Sequence, residues 1–198
     1  MPPAGQTPQA ALGFRVKSGW AAAVLVAGPA SSPSVLDRLV VTLSDPEVAG
    51  SSQPYHGGTG QAETDPARLA ERVEAVERYA AQGLAALFAR YRADGHALAG
   101  VGIVVGTDGD PERIANQHIP AHAREGRLFR RVIEEAARAH GLSSTILVER
   151  DAYSTAAEAL GRGEAELRST VADLGRPLGG SWRALDKLAA LAAWVVLA

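Results

Sequence analysis

The stretch Ala99–Gly106, AGVGIVVG, decides how the chain is read. It is apolar at every position, so both its faces have to be covered, as in a central strand of a parallel sheet. What flanks it agrees. Upstream, Asp65-Pro66 has the chemistry of an N-cap followed by a first helical residue. Leu69, Val73, Val76, Ala80, Leu84, Leu87 and Tyr91 then recur at three- and four-residue steps, and Gly95 supplies the stop. Downstream, a second helix is expected from about Pro120 to His140, with Gly141 as its cap, and STILVE (144–149) is the next parallel strand. Helical segments at about 153–160, 163–174 and 182–197 close the chain, with Ser181 as the expected N-cap of the last.

The first part of the chain has a different texture. LGFRV (12–16) alternates, KSG (17–19) is a turn, WAAAVLVAG (20–28) is an apolar run, and VLDRLVVTL (35–43) follows a Pro/Ser break. Three strands joined by short turns form an antiparallel meander. The predicted order is β-β-β-α-β-α-β-α-α: an α/β fold whose five-stranded mixed sheet has helices on both faces. Residues 1–11 read as a disordered tail and 12–198 as a single domain, interrupted by a long loop at 44–64.

Composition narrows the classes. The chain has 198 residues, 46% hydrophobic and 21% charged, with a formal net charge of -2, so nucleic-acid binding would need a local patch. There is no cysteine, which excludes disulfides and thiolate zinc sites. The first ten residues lack the features of a signal peptide, and the apolar stretch 185–198 contains Asp186 and Lys187 and is too short to span a bilayer. The expectation is a cytoplasmic protein with no membrane contact.

Four stretches carry a resemblance: LGFRVKSGWAAAVLV (12–26), GIVVGTDGD (102–110), VERDAYSTAAEAL (148–160) and LDKLAALAAWVVL (185–197). In order and spacing they resemble RNase H-like proteins, in particular the Holliday-junction-resolvase-like branch that includes pre-16S rRNA processing nucleases. The resemblance implies an RNase H-like fold and a divalent-metal nuclease acting on structured RNA or DNA, with Mg²⁺ or Mn²⁺ held by acids at strand ends and on the last helix. It puts Glu149 and Asp186 at metal-holding, catalytic positions and offers Asp108 as a further acid, with Asp110 and Asp45 as other candidates. It also exposes a departure. The first-strand acid of the family falls at or near Arg15, which cannot ligate a cation, and Val148 stands where the family has an aspartate. The leading expectation is therefore an RNase H-like protein with a degraded nuclease acid set, serving as a binding or regulatory domain or carrying a divergent activity. A working nuclease is the alternative, and a subunit-forming structural protein built on the Ala-rich helices is the third reading.

One more stretch stands out, NQHIPAHAREGRLFRR (116–131). At 100° per residue, His122 and Glu125 share the face of Phe129, Val132 and Ile133, while Arg124, Arg127, Arg131 and Arg138 lie opposite. The helix start should lie at the carboxyl edge of the sheet, where open α/β sheets bind ligands. His118, His122, Glu125 and Asn116 are candidate binding residues there, with Tyr55 and His56 brought over by the long loop. His122 and Glu125 are most simply explained as a helix-start ion pair, and His118 with His122 has the spacing of a zinc pair broken by Pro120. Arg124, Arg127 and Arg131 are candidates for nucleic-acid contact or a solvated face.

Overall fold

The computed structural model describes residues 9–58, 61–107 and 119–198. Asp108, Asp110, Asn116 and His118 lie outside them. Strands β1 (Gln9–Lys17), β2 (Trp20–Ala27) and β3 (Ser34–Thr42) form the meander, and a short hairpin, β4 (His56–Gly58) with β5 (Gln61–Ala62), sits in the long loop. Then come α1 (Pro66–Ala93), β6 (Ala97–Val105), α2 (Ile119–Ala139), β7 (Ser143–Val148), α3 (Ala152–Leu160), α4 (Glu164–Leu174) and α5 (Ala184–Val196). The five-stranded sheet has the order β3-β2-β1-β6-β7. β6 runs parallel to both β1 and β7, and β2 is antiparallel to its two neighbours. This is the sheet expected of an RNase H-like fold.

Side chains alternate across the strands, so each face recruits its own helices. Leu12, Phe14 and Val16 of β1, with Val101, Ile103 and Val105 of β6, pack under α1 and α2. The opposite face, with Ala11, Val24 and Val104, lies under α5 and, at the β7 side, α3 and α4. Here α5 approaches unusually closely. A Cβ built on Gly13 would come within 1.8 Å of the Ala189 carbonyl oxygen, and one on Gly102 within 2.2 Å of that of Ala192. The glycines make room for the helix backbone, and Ala189, Ala190, Ala192 and Ala193 are fully buried against them. The alanines that suggested a subunit contact are used within the chain.

Two boundaries differ from expectation. β1 begins at Gln9, inside the stretch read as a tail, because Ala10 and Ala11 pair with β2 and β6 and are fully buried. The last helix is capped at Arg183, not at Ser181: the Asp186 carboxylate accepts the Arg183 backbone N–H at 2.9 Å. The Asp65 cap of α1 is as expected, its carboxylate accepting the N–H groups of Ala67 and Arg68. Among the described residues, no helix is long and apolar enough to cross a membrane.

Candidate functional site

β1, β6 and β7 are parallel, so their carboxyl ends share one edge of the sheet. Two polar groups stand there, one on each face.

The first is an ion pair on the α5 face. Arg15 has the parity of Ala11 and Gly13, so it points toward α5 near the end of β1. Its side chain is 2% exposed, and its guanidinium donates to the Val16 carbonyl and to the Glu149 carboxylate, which directly follows β7. Glu149 also lines a cleft of about 400 Å³ with Arg150, Tyr153, Arg168 and Lys187. Asp186 does not line it. Consecutive helical residues are about 100° apart, and the register of α5 turns Lys187 to this cleft and Asp186 toward β3, 3.6 Å from the Arg38 guanidinium. Arg38 in turn donates to the Ser181 carbonyl. Among the described residues, neither Glu149 nor Asp186 belongs to a three-ligand group. The residues described here do not fit a pair of hard cations: a permanent cation already lies against Glu149, and Asp186 is taken up by a cap and an arginine.

The second group is on the α1/α2 face. Its centre is Glu125, one turn before the core residues Leu128 and Phe129 on α2, and it is 0% exposed. Its carboxylate accepts from His56 Nδ1 at 2.6 Å and from Ser18 Oγ, in the β1–β2 turn, at 3.2 Å. His122 Nδ1 lies 3.7 Å from its other side, and the His56 and His122 rings are 4.5 Å apart. One nitrogen or oxygen from each of His56, His122 and Glu125 falls within 4.8 Å of the others. The expectation that His122 would face inward holds only in part. Glu125 is enclosed, but the His122 side chain is 57% exposed and forms the rim.

The long loop is built to deliver His56. Arg72 of α1 donates to the carbonyls of Ala49 and His56 and to Glu63, and the Glu63 N–H donates to the Tyr55 carbonyl. Gly50, at φ 82°, leaves the space that the Arg72 guanidinium fills, since a Cβ there would come within 2.6 Å of it. Glu63 is held below the usual carboxylate range by the backbone N–H of Asp65, with Arg68, the Thr64 N–H and Arg72 adding to it against some desolvation. Tyr55 packs against the core beside His56, and burial raises its hydroxyl pKa against the pull of Arg131 and Arg124.

Arg124, Arg127, Arg131 and Arg138 are exposed, as the helical pattern required. Arg131 is bound to Glu77 of α1 and Glu135, with the Glu77 bond leading the causes that raise its pKa. The sequence reading did not foresee Ser18, Arg72 or Arg38. The one available signal was Arg15 itself, since an arginine inside an apolar strand requires a buried partner.

No protein-family profile and no curated protein sequence matches the chain. Among solved structures, Thermus thermophilus RuvC in complex with a Holliday junction substrate is similar, with TM-score 0.55 and 13% identity, covering 94% of this chain and 91% of that one. A second structure of Thermus thermophilus RuvC matches at TM-score 0.54, 13% identity, and 94% and 92% coverage. The likeness spans nearly the whole chain and shows an RNase H-like fold.

Proposed function

We propose that this chain is an RNase H-like binding domain that engages structured nucleic acid and does not hydrolyse it by two-metal chemistry. The Arg15–Glu149 pair carries this reading. Two-metal phosphodiester cleavage needs carboxylates that converge on cations and stabilise both the attacking and leaving oxygens. Arginine stays charged and cannot ligate, so its guanidinium stands against Glu149 where a two-metal site needs a cation-binding acid. Asp108, the remaining candidate acid, lies outside the described residues and is assigned no role. Support for a nucleic-acid partner is the fold shared with a junction-bound protein and the local basic groups at the same edge: Arg150, Arg168 and Lys187 around the cleft, and the exposed Arg124 and Arg127 on α2. With a net charge of -2, these patches rather than the whole molecule would carry the attraction.

The test is a binding and cleavage assay on a four-way DNA junction, a stem-loop RNA and plain duplexes, each with Mg²⁺ and with Mn²⁺. The expected result is salt-sensitive binding, weakened by Lys187→Glu, with every substrate intact. Metal-dependent cleavage that Asp186→Asn abolishes while the fold survives would overturn the reading in favour of a working nuclease. Absence of binding to all the nucleic acids would overturn the partner.

A further inference from the structure

We infer that His56, His122 and Glu125 form a site for one divalent transition ion of the zinc class, on the opposite face of the sheet edge from the Arg15–Glu149 pair. This inference does not rest on the nucleic-acid reading. Two imidazoles and a carboxylate are a borderline donor set; it suits Zn²⁺ or Co²⁺, whereas Mg²⁺ and Ca²⁺ prefer all-oxygen surroundings. Two histidines and one glutamate is also a ligand set of open, three-ligand zinc sites.

The geometry is close to what such an ion requires. Metal–donor bonds of roughly 2.0–2.2 Å in a tetrahedral site place the donor atoms roughly 3.3–3.5 Å apart. From Glu125 the separations are 2.6 Å between Oε1 and His56 Nδ1 and 3.7 Å between Oε2 and His122 Nδ1, and one donor atom from each of the three residues lies within 4.8 Å of the others. A small rotation of the His56 ring opens the first, and the ion takes the place of the proton that His56 shares with the carboxylate, releasing it to solvent.

Electrostatics gives the reason for expecting an ion at all. A fully enclosed carboxylate is costly unless a positive charge or several donors compensate it. Among the described residues no lysine or arginine contacts Glu125; its partners are a hydroxyl and two imidazoles, groups that can themselves ligate or steady a ligand. The supporting parts resemble those around known metal ligands. Ser18 fixes Glu125, and Arg72 fixes the backbone of His56 through its carbonyl at 2.9 Å. His122 is on the rim, so the fourth position opens to solvent and can accept water or a small oxyanion.

The experiment uses the full chain, stripped with EDTA and then titrated with Zn²⁺ by calorimetry and with Co²⁺ by visible absorption. The expected result is one ion per chain and the strong absorption of four- or five-coordinate cobalt. His56→Ala, His122→Ala and Glu125→Gln should each weaken binding at least about 100-fold, and Ser18→Ala about 10-fold, as for loss of an outer partner. His96→Ala, a histidine at the opposite edge of the sheet, should change nothing. Removing the buried acid can compromise folding, so the exposed His122, checked by circular dichroism, is the deciding position. No saturable uptake, six-coordinate cobalt only, or uptake that survives His122→Ala in a folded protein would each overturn the site.

Discussion

Glu149 and Glu125 stand at the same edge of one sheet, on opposite faces, and their surroundings differ in kind. Glu149 is 42% exposed and bound to a guanidinium that is almost fully buried; Glu125 is 0% exposed and bound to two imidazoles and a hydroxyl. The first arrangement is closed. Arginine keeps its proton at any accessible pH and offers no lone pair, so the pair is a finished piece of structure. The second is open, because imidazole can give up its proton and donate a lone pair to a cation. On one face an acid is neutralised by a buried guanidinium, while on the other an acid is set among groups that can ligate a cation.

The closed pair should be the more sensitive to disruption. Glu149→Gln leaves the Arg15 charge buried without its counter-ion and should cost about 3 kcal/mol, at the low end for broken buried pairs because Glu149 is partly solvated. Arg15→Met removes the buried charge itself and should cost less than half as much. Urea unfolding at neutral pH measures both. If the two costs are equal, or Arg15→Met is the worse, the pair does not act as a buried ion pair and the contrast with Glu125 collapses.

Much of this was legible in the sequence, for reasons that can be traced to particular residues. AGVGIVVG, between a helix opened by Asp65-Pro66 and another closed at Gly141, requires a parallel strand under two layers. Tyr55, His56, His122 and Glu125 could be assigned to one edge because topology alone brings a helix start and a long loop there. Register was not legible. Nothing in LDKLAALAA says that Lys187, not Asp186, faces Glu149; that is set by the fit of Ala189 and Ala192 onto Gly13 and Gly102. The inward extension of β1 to Gln9 was hidden because two alanines in a Pro- and Gln-rich run have no strand signature, only room to pack. The Arg72 anchor was hidden because it joins α1 to carbonyls in a segment whose turns cannot be read from composition.

A middle-sized effect should appear on acidification, and only on the open side. The Glu63 carboxyl is held below its ordinary range chiefly by the Asp65 N–H, so its ionised form favours the folded loop. The sign follows: this contribution is present above the ordinary carboxylate range and is lost as pH falls through the lowered value. Hydrogen exchange across 53–56 should therefore speed up in acid before exchange in β1 or β6 does, and Glu63→Gln should raise exchange at neutral pH and flatten the response. Uniform acceleration across the sheet would mean that the loop has no acid-labile latch of its own.

The smallest effect is the most discriminating. If His122 only completes a helix-start ion pair, His122→Ala should cost about 0.5–2 kcal/mol whether or not metal is present, the range of a lost cap or dipole partner. The geometry argues against that. The ring is more than half exposed, its nitrogen is 3.7 Å from Glu125, and His56 already holds the carboxylate at 2.6 Å, so in metal-free protein the change should fall within about 0.5 kcal/mol. With Zn²⁺ in excess, the wild type should gain RT ln(1 + [L]/Kd), about 2.7 kcal/mol at a hundredfold excess over Kd, and the variant almost none of it. Two melting curves of each protein, with EDTA and with Zn²⁺, read out the difference. A cost confined to the zinc condition makes His122 a ligand; an equal cost in both makes it packing, and the two faces of the sheet edge would then differ only in burial.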